Sequence, residues 1–492
     1  MKRSADLLRL ADAVILPGFV GEMPPDWVRR RLAAGLAGVV LFSRNIDAPE
    51  QVARLTAEMR AENPDVIVGI DEESGEVTRM EAKSGSSRPG NYALGVVDDV
   101  ELTRDVARDL GAELAAVGVT IDFAPSADVN SNPDNPVIGL RSFGADPALV
   151  TRHTVAWIRG LQSAGVAACA KHFPGHGDTS VDSHHEVPRV TAGREVIQKV
   201  ALPPFRAAID AGVAAIMTGH LVVTAYDDEL PATLSPRILT GLLRGELGFD
   251  GPIITDGIEM AAVSREYGIG GAAAKAIAAG VDGICVGGGH AGEDTADAVR
   301  DAIADAVAEG VIPEERLAAA AGRMRCLAQR HAEQAPIGLV AARAAIRVTR
   351  RPGAKLPLEA APHVIEMVPR LNPAIERGTP WGVGGPLGEL LPGTTVSRLG
   401  AADLAADLDA ALGPALAQAE TRPLVIVVRD AHRHPWQRAA IGHLLAARPD
   451  AIVVEMGLPG RTDLGAIHIA TYGSARVCGQ AAAEVLTGLA AG

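Results

Sequence analysis

The chain has 492 residues, of which 48% are hydrophobic and 22% charged, and it carries a formal net charge of -14. That length exceeds what one core usually fills, so two domains are expected, and the balance excludes a disordered chain. The negative charge argues against nucleic acid or another polyanion as partner and suits a small substrate that is neutral or locally coordinated.

Residues 1–22, MKRSADLLRLADAVILPGFVGE, begin basic, but Asp6, Arg9 and Asp12 break the apolar residues before a long run forms. No small-residue cleavage site follows, so no signal peptide is expected. No stretch approaches the ~18 apolar residues of a membrane span. A cytoplasmic protein without a membrane partner is the expectation. Cys169, Cys285, Cys326 and Cys478 show neither CxxC nor zinc spacing and read as buried thiols of a reducing compartment.

Short apolar runs then alternate with longer helical patterns, the rhythm of a parallel sheet. Strands are predicted in AVILPGF from Ala13, GVVLFS from Gly38, VIVGID from Val66 and TIDFAPSADV from Thr120. Four more are predicted in AACAKHF from Ala167, AAIMTGH from Ala214, PIITD from Pro252 and GICVGG from Gly283. Eight such strands close a (β/α)8 TIM-like barrel, assigned to residues 1–335. Residues 336–358, with Pro336, Pro352, Gly353 and Pro357, read as a linker. Residues 359–492 form a smaller α/β domain, with strands in VIEMV from Val364, PLVIVVRD from Pro423 and AIVVEMG from Ala451. Helices are expected in AADLAADLDAALGPALAQA from Ala401 and in the final GQAAAEVLTGLAAG.

Asp71, Asp128, Lys171, His172, His220 and Asp256 all lie at or just past predicted strand ends, the catalytic face of a barrel. The loop after the fifth strand, residues 171–188, reads KHFPGHGDTSVDSHHEVP. It gathers His172, His176, His184 and His185 with Asp178 and Asp182. In an extended loop, residues two apart share a face, so Asp182 can accept a hydrogen bond from His184 and make it a general acid/base. A solvated histidine-rich loop and a metal centre are the alternatives, but the spacing fits neither HExxH nor a zinc knuckle.

Asp256 ends the strand in GPIITDGIEM, residues 251–260, either as a helix N-cap or as an ionised nucleophile. Asp71 opens DEESGEVTR and can accept two neighbouring hydroxyls, while Glu73 and Arg79 read as a structural ion pair. Arg141, in NPVIGLRSFG, either donates to substrate oxygens or bonds backbone carbonyls at the surface. Lys171 needs a carboxylate partner if buried, and Asp71 or Asp128 can supply it. His220 either assists them or is a satisfied supporting histidine. GICVGGGH, residues 283–290, has the glycines of a phosphate cradle, but close backbone approach explains them better. Arg429, Asp430, His432, Arg433 and His434 either rim the active site or form a solvated loop, the latter being preferred.

KHFPGHGDTSVDSHHEVP, IITDGIEM, DEESGEVTR, GLRSFG, and PATLSPRIL with LRGELGFDGPIITD together resemble family 3 glycoside hydrolases. The likeness is greatest to the β-N-acetylglucosaminidase branch. It covers the first 335 residues, and the remainder resembles the α/β sandwich domain of two-domain members. The resemblance implies that Asp256 is the nucleophile of a covalent glycosyl-enzyme, with His184 the acid/base and Asp182 its dyad partner. Asp71, Arg141, Lys171 and His172 would hold the nonreducing sugar, and Arg79 would be a framework position. Ser74 stands where the family usually has glycine, and Gly257 where an acidic or small residue is common.

The implied enzyme is a retaining exo-β-N-acetylglucosaminidase acting on cell-wall or chitin-derived oligosaccharides or glycopeptides, without cofactor or metal. A histidine is neutral after giving up its proton, so inorganic phosphate is a second conceivable acceptor and a β-N-acetylglucosaminide phosphorylase the nearest rival. A metal-dependent hydrolase and a non-catalytic sugar-binding protein are the readings of other classes.

Overall fold

The computed structural model describes residues 4–180, 187–328, 338–369, 375–376, 379–405 and 407–489. They form two compact units. The first is Met1–Glu73, Val100–Ile138 and Ser142–Pro336; the second is Ser74–Asp99, Gly139–Arg141 and Ile337–Gly492.

The first unit contains β1 (Ile15–Pro17), β2 (Gly38–Leu41), β3 (Ile67–Ile70), β4 (Ile121–Asp122), β5 (Ala167–Phe173), β6 (Ala215–Thr218), β7 (Ile253–Thr255) and β8 (Ile284–Val286). Strands β2 to β7 make one parallel sheet in chain order. A parallel bridge between Ile254 and Gly283 leads from β7 to β8, and β8 pairs with β1 from Ile15–Ile284 to Pro17–Val286. The sheet therefore curls round as a barrel, with every strand inside its predicted segment. Its interior is filled by side chains such as Leu16, Ile67, Phe123, Cys169, Met217 and Ile254. Both faces of each strand are covered, which is why the strands read as apolar runs and not as alternating patterns.

Helix Pro147–Ser163 shows how the outer layer forms. Asp146 caps it by accepting the amides of Ala148 and Leu149 at 3.2 and 3.0 Å, and Pro147 fits the first turn. The helix buries Val150, Trp157 and Leu161.

The second unit has β9 (Arg347–Arg350), β10 (His363–Val368), β11 (Thr395–Gly400), β12 (Leu424–Val428), β13 (Ile452–Glu455) and β14 (Ile467–Ala470). Their order is β9-β14-β13-β12-β10-β11, parallel except for β9. Alternate residues face opposite ways. Val425 and Val427 pack with Ala481, Ala482 and Leu486, whereas Ile426 and Val428 join Leu412, Ala440 and Leu444 on the other face. Helices on both faces of a mostly parallel sheet make this an α/β sandwich.

Four expectations change here. The 336–358 stretch carries helix Gly338–Ala345 and strand β9. All four β9 residues are exposed, and a charged edge strand lacks the apolar pattern by which strands are read. Residues 74–99 and 139–141 group with the second unit. There Glu76 pairs with Arg429 and accepts from Ser474 Oγ at 2.8 Å. Arg429 and Asp430 are accordingly buried, not solvated. The amides of Asp430 and Ala431 bond the Glu455 carboxylate at 2.8 and 3.1 Å. Finally, Cys326 is exposed, unlike the other three cysteines.

Among the described residues no helix is long and apolar enough to cross a membrane.

His468, on β14, is 1% exposed, and neither ring nitrogen has a hydrogen-bond partner among the described residues. Burial pushes its pKa down from 6.5 to about 4. A group with a depressed basic pKa favours the folded state fully above its unfolded value and progressively less below it. Stability should therefore fall by up to about 3 kcal/mol on acidification between those two values. In urea titrations, His468→Phe should reduce that loss; an undiminished loss would assign it to other groups.

Candidate active site

The C-terminal ends of the barrel strands bring most of the predicted residues into charge-paired groups. Asp71 follows β3 and Lys171 lies in β5. Lys171 Nζ is 2.6 Å from Asp71 Oδ1 and 2.6 Å from Glu73 Oε1. Its side chain is only 2% exposed, so its charge depends on those carboxylates. Asp71 is thus one of Lys171's partners, as offered by the sequence. Glu73 is another.

Asp128 serves a different side chain, His172. Its Oδ2 lies 2.7 Å from His172 Nδ1 and 3.1 Å from Ser126 Oγ, and its Oδ1 accepts the His176 amide at 2.6 Å. Burial alone would raise this carboxyl, but the pull of His172 and His176 and their hydrogen bonds hold it below its ordinary value. At the neighbouring Asp122, burial outweighs the Glu72 amide at 2.9 Å and the pull of Lys171 and pushes the carboxyl well above the usual range.

The root of the histidine loop is locked onto the chain beyond β4. His176 Nδ1 is 2.7 Å from Thr179 Oγ1, and its carbonyl accepts from Asn135 Nδ2 at 2.8 Å. Gly177 packs so tightly that a Cβ there would lie 1.8 Å from the Val129 carbonyl oxygen. Asp182, His184 and His185 fall outside the described residues.

Asp256 follows β7. Its amide bonds the Thr218 carbonyl at 3.2 Å, and its Oδ1 accepts the Gly257 amide at 2.7 Å. The next helix starts at Ala261 with Met260 as its N-cap residue, so the N-cap explanation of Asp256 fails. His220 Nε2 lies 3.0 Å from the Gly257 carbonyl, and its Nδ1 lies 2.8 Å from Thr233 Oγ1. His220 thus braces the residue next to Asp256, the supporting role offered for it from the sequence, and Thr233, which the sequence did not single out, completes it.

The glycine-rich turn after β8 is not an open cradle. Glu259 Oε1 accepts the amides of Gly287 and Gly288 at 3.0 and 2.5 Å. Gly287 has φ +126°, and a Cβ there would lie 2.4 Å from the Gly18 nitrogen. Close approach explains the glycine, as expected.

Arg141 lies in the short turn Gly139–Arg141 of the second unit, buried, with its carbonyl accepting from Asn91 Nδ2 at 2.7 Å. Among the described residues no three His, Cys, Asp or Glu side chains form a metal-ligating group.

Within the barrel, then, a carboxylate-flanked ammonium, a carboxylate-held imidazole and a carboxylate at the next strand end but one surround the catalytic face. Ammonium, imidazole and carboxylate together can donate to and accept from vicinal hydroxyls, and Asp256 has the charge to meet a cationic carbon.

The chain is similar to known proteins. Residues 26–327 match the Glycosyl hydrolase family 3 N terminal domain. Beta-hexosaminidase A of Pseudoalteromonas piscicida is 36% identical over 282 residues, 53% of this chain and 47% of that protein. Beta-hexosaminidase LpqI of Mycobacterium tuberculosis is 39% identical over 222 residues, 44% of this chain and 57% of LpqI. The chain thus spans about half the length of these two relatives. A glycoside hydrolase family 3 β-N-acetylglucosaminidase from Paenibacillus sp. str. FPU-7 superposes with a TM-score of 0.86 at 35% identity, covering 99% of this chain and 97% of that one. With a family domain over more than half its length and a near full-length structural relative, the chain belongs to glycoside hydrolase family 3.

Proposed function

We propose that the chain is a retaining exo-β-N-acetylglucosaminidase that removes terminal β-linked N-acetylglucosamine from cell-wall or chitin-derived oligosaccharides or glycopeptides. The observation that carries this reading is the paired set at the strand ends: Lys171 with Asp71 and Glu73, His172 with Asp128, and Asp256 beyond β7. The 35% identical β-N-acetylglucosaminidase, matched along nearly the whole chain, supports the choice of sugar.

In this mechanism Asp71, Lys171, His172 and Arg141 hold the nonreducing sugar. An Asp256 carboxylate oxygen bonds to the anomeric carbon as the glycosidic C–O bond breaks, and His184 gives its proton to the departing oxygen. Asp182 keeps His184 in the required tautomer. The neutral His184 then takes a proton from water, whose oxygen displaces Asp256 and regenerates the carboxylate. Two displacements at one carbon retain its configuration.

Assaying nitrophenyl β-N-acetylglucosaminide with and without phosphate tests the reading. Free N-acetylglucosamine should be the product in both cases; sugar 1-phosphate as the main product at millimolar phosphate would make the chain a phosphorylase. Replacing His184 by alanine should cost roughly 10²- to 10⁴-fold on natural disaccharides and far less on activated aryl glycosides, which leave without a proton. Equal losses on both would remove His184 as the acid.

A further inference from the structure

Asp128 makes more contacts than a strand-end carboxylate needs for one ion pair. It is fully buried and accepts from four groups on three segments: Ser126 Oγ, the His172 amide, His172 Nδ1 and the His176 amide. None of these bonds involves Lys171, whose charge is met by Asp71 and Glu73.

We infer that Asp128 is a positioning residue that fixes the proton of His172 on Nδ1 and ties that ring to the root of the histidine loop through the His176 amide. The His172 contact with sugar rests on the function proposed above; the tautomer and the anchoring do not.

The physical case is one of donor and acceptor balance. An ionised carboxylate only accepts, and every group facing Asp128 in these contacts has a hydrogen to give. Its depressed pKa keeps it ionised near neutral pH, so the shared proton belongs to the imidazole. The His172 amide and ring bond the same carboxylate, which restricts the ring's rotation about its own backbone. The ring also stands edge-on to His176, with centroids 5.9 Å apart, so the second histidine is part of the same packing. A histidine held in this way reaches the substrate without the entropy cost of choosing a rotamer and a tautomer.

The asparagine variant breaks the balance without changing the volume. Oδ1 receives the His176 backbone amide, which cannot become an acceptor, so the Asp128→Asn amide turns its NH₂ to the imidazole and the Ser126 hydroxyl, where His172 must shift its proton to Nε2 or turn away.

The decisive measurement is the protonation pattern of His172 in ¹⁵N-histidine-labelled full-length protein near neutral pH, assigned by difference from His172→Gln. The wild type should show hydrogen on Nδ1 alone. In Asp128→Asn that pattern should be lost, and kcat/KM should fall by about 10- to 100-fold, mostly through KM. Ser126→Ala, which removes one accepted bond but leaves the imidazole contact, should keep the wild-type pattern.

Hydrogen on Nε2, or on both nitrogens, in the wild type would overturn the inference. So would an Asp128→Asn protein that keeps both the pattern and the wild-type KM. If the asparagine variant does not fold, the wild-type spectrum still decides. The spectrum is read without turnover, so a failed glycosidase assay would leave it intact and count only against the proposed activity.

Discussion

Asp256→Ala is expected to lower kcat by about 10⁴-fold or more on every substrate, activated aryl glycosides included. A good leaving group relieves the need for an acid but not the need for a nucleophile, so this variant should differ in kind from His184→Ala. The fold should survive. Its Oδ1 accepts the adjacent Gly257 amide, and the residue is partly exposed. Losing that bond changes stability by about 1 kcal/mol. Circular dichroism and a melting curve check this beside the rate. In the wild type, a slowly released substrate analogue should add one sugar to the peptide that contains Asp256, detectable by mass spectrometry. More than a percent or so of residual activity in clean Asp256→Ala protein, or a label on another residue, would move the nucleophile elsewhere.

The barrel was legible because its strands are buried on both sides. GVVL, IVGI and AIMT are runs that only a covered parallel sheet tolerates. The second unit was legible in the same way at its centre, in β10, β12 and β13. Its outer strands were not. The residues of β11 alternate between half-buried and exposed, and β9 is fully exposed. In β14 the short apolar run is interrupted by His468, a polar residue that the structure buries without a hydrogen-bond partner among the described residues. The helix expected from Ala401 starts at Leu408. Asp407 stops it from extending further back by accepting the amides of Asp409 and Ala410 at 2.9 and 3.2 Å. The excursion of residues 74–99 into the second unit had no periodic sign at all, since Glu76 and Arg429 are 353 residues apart and joined by charge.

At the site, strand-end position found the residues but not their partners. The need of a buried lysine for a carboxylate correctly led to Asp71. It gave no way of seeing that Glu73 would share the task, or that Asp128 would be spent on His172. Position along a strand places a side chain on a face; which acceptor it meets depends on loops whose paths the sequence pattern does not specify.

The pairing of Lys171 leads to the second large effect, on stability. Lys171→Met keeps the length of the apolar stem and removes the charge. Asp71 and Glu73, each 2.6 Å from the ammonium in the wild type, would then face one another without it, Glu73 almost completely buried. Removing one partner of a buried ion pair costs about 3–5 kcal/mol, a large share of a domain's stability. A double-mutant cycle separates the structural from the binding part. Adding Glu73→Gln to Lys171→Met should restore roughly 1–3 kcal/mol, since a neutral amide no longer needs the cation. It should not restore catalysis if Lys171 also holds the sugar: KM should stay high while the urea midpoint recovers. Recovery of both together would reduce Lys171 to a neutraliser of the two carboxylates. Recovery of neither would mean that Glu73 is not the group left stranded by its loss.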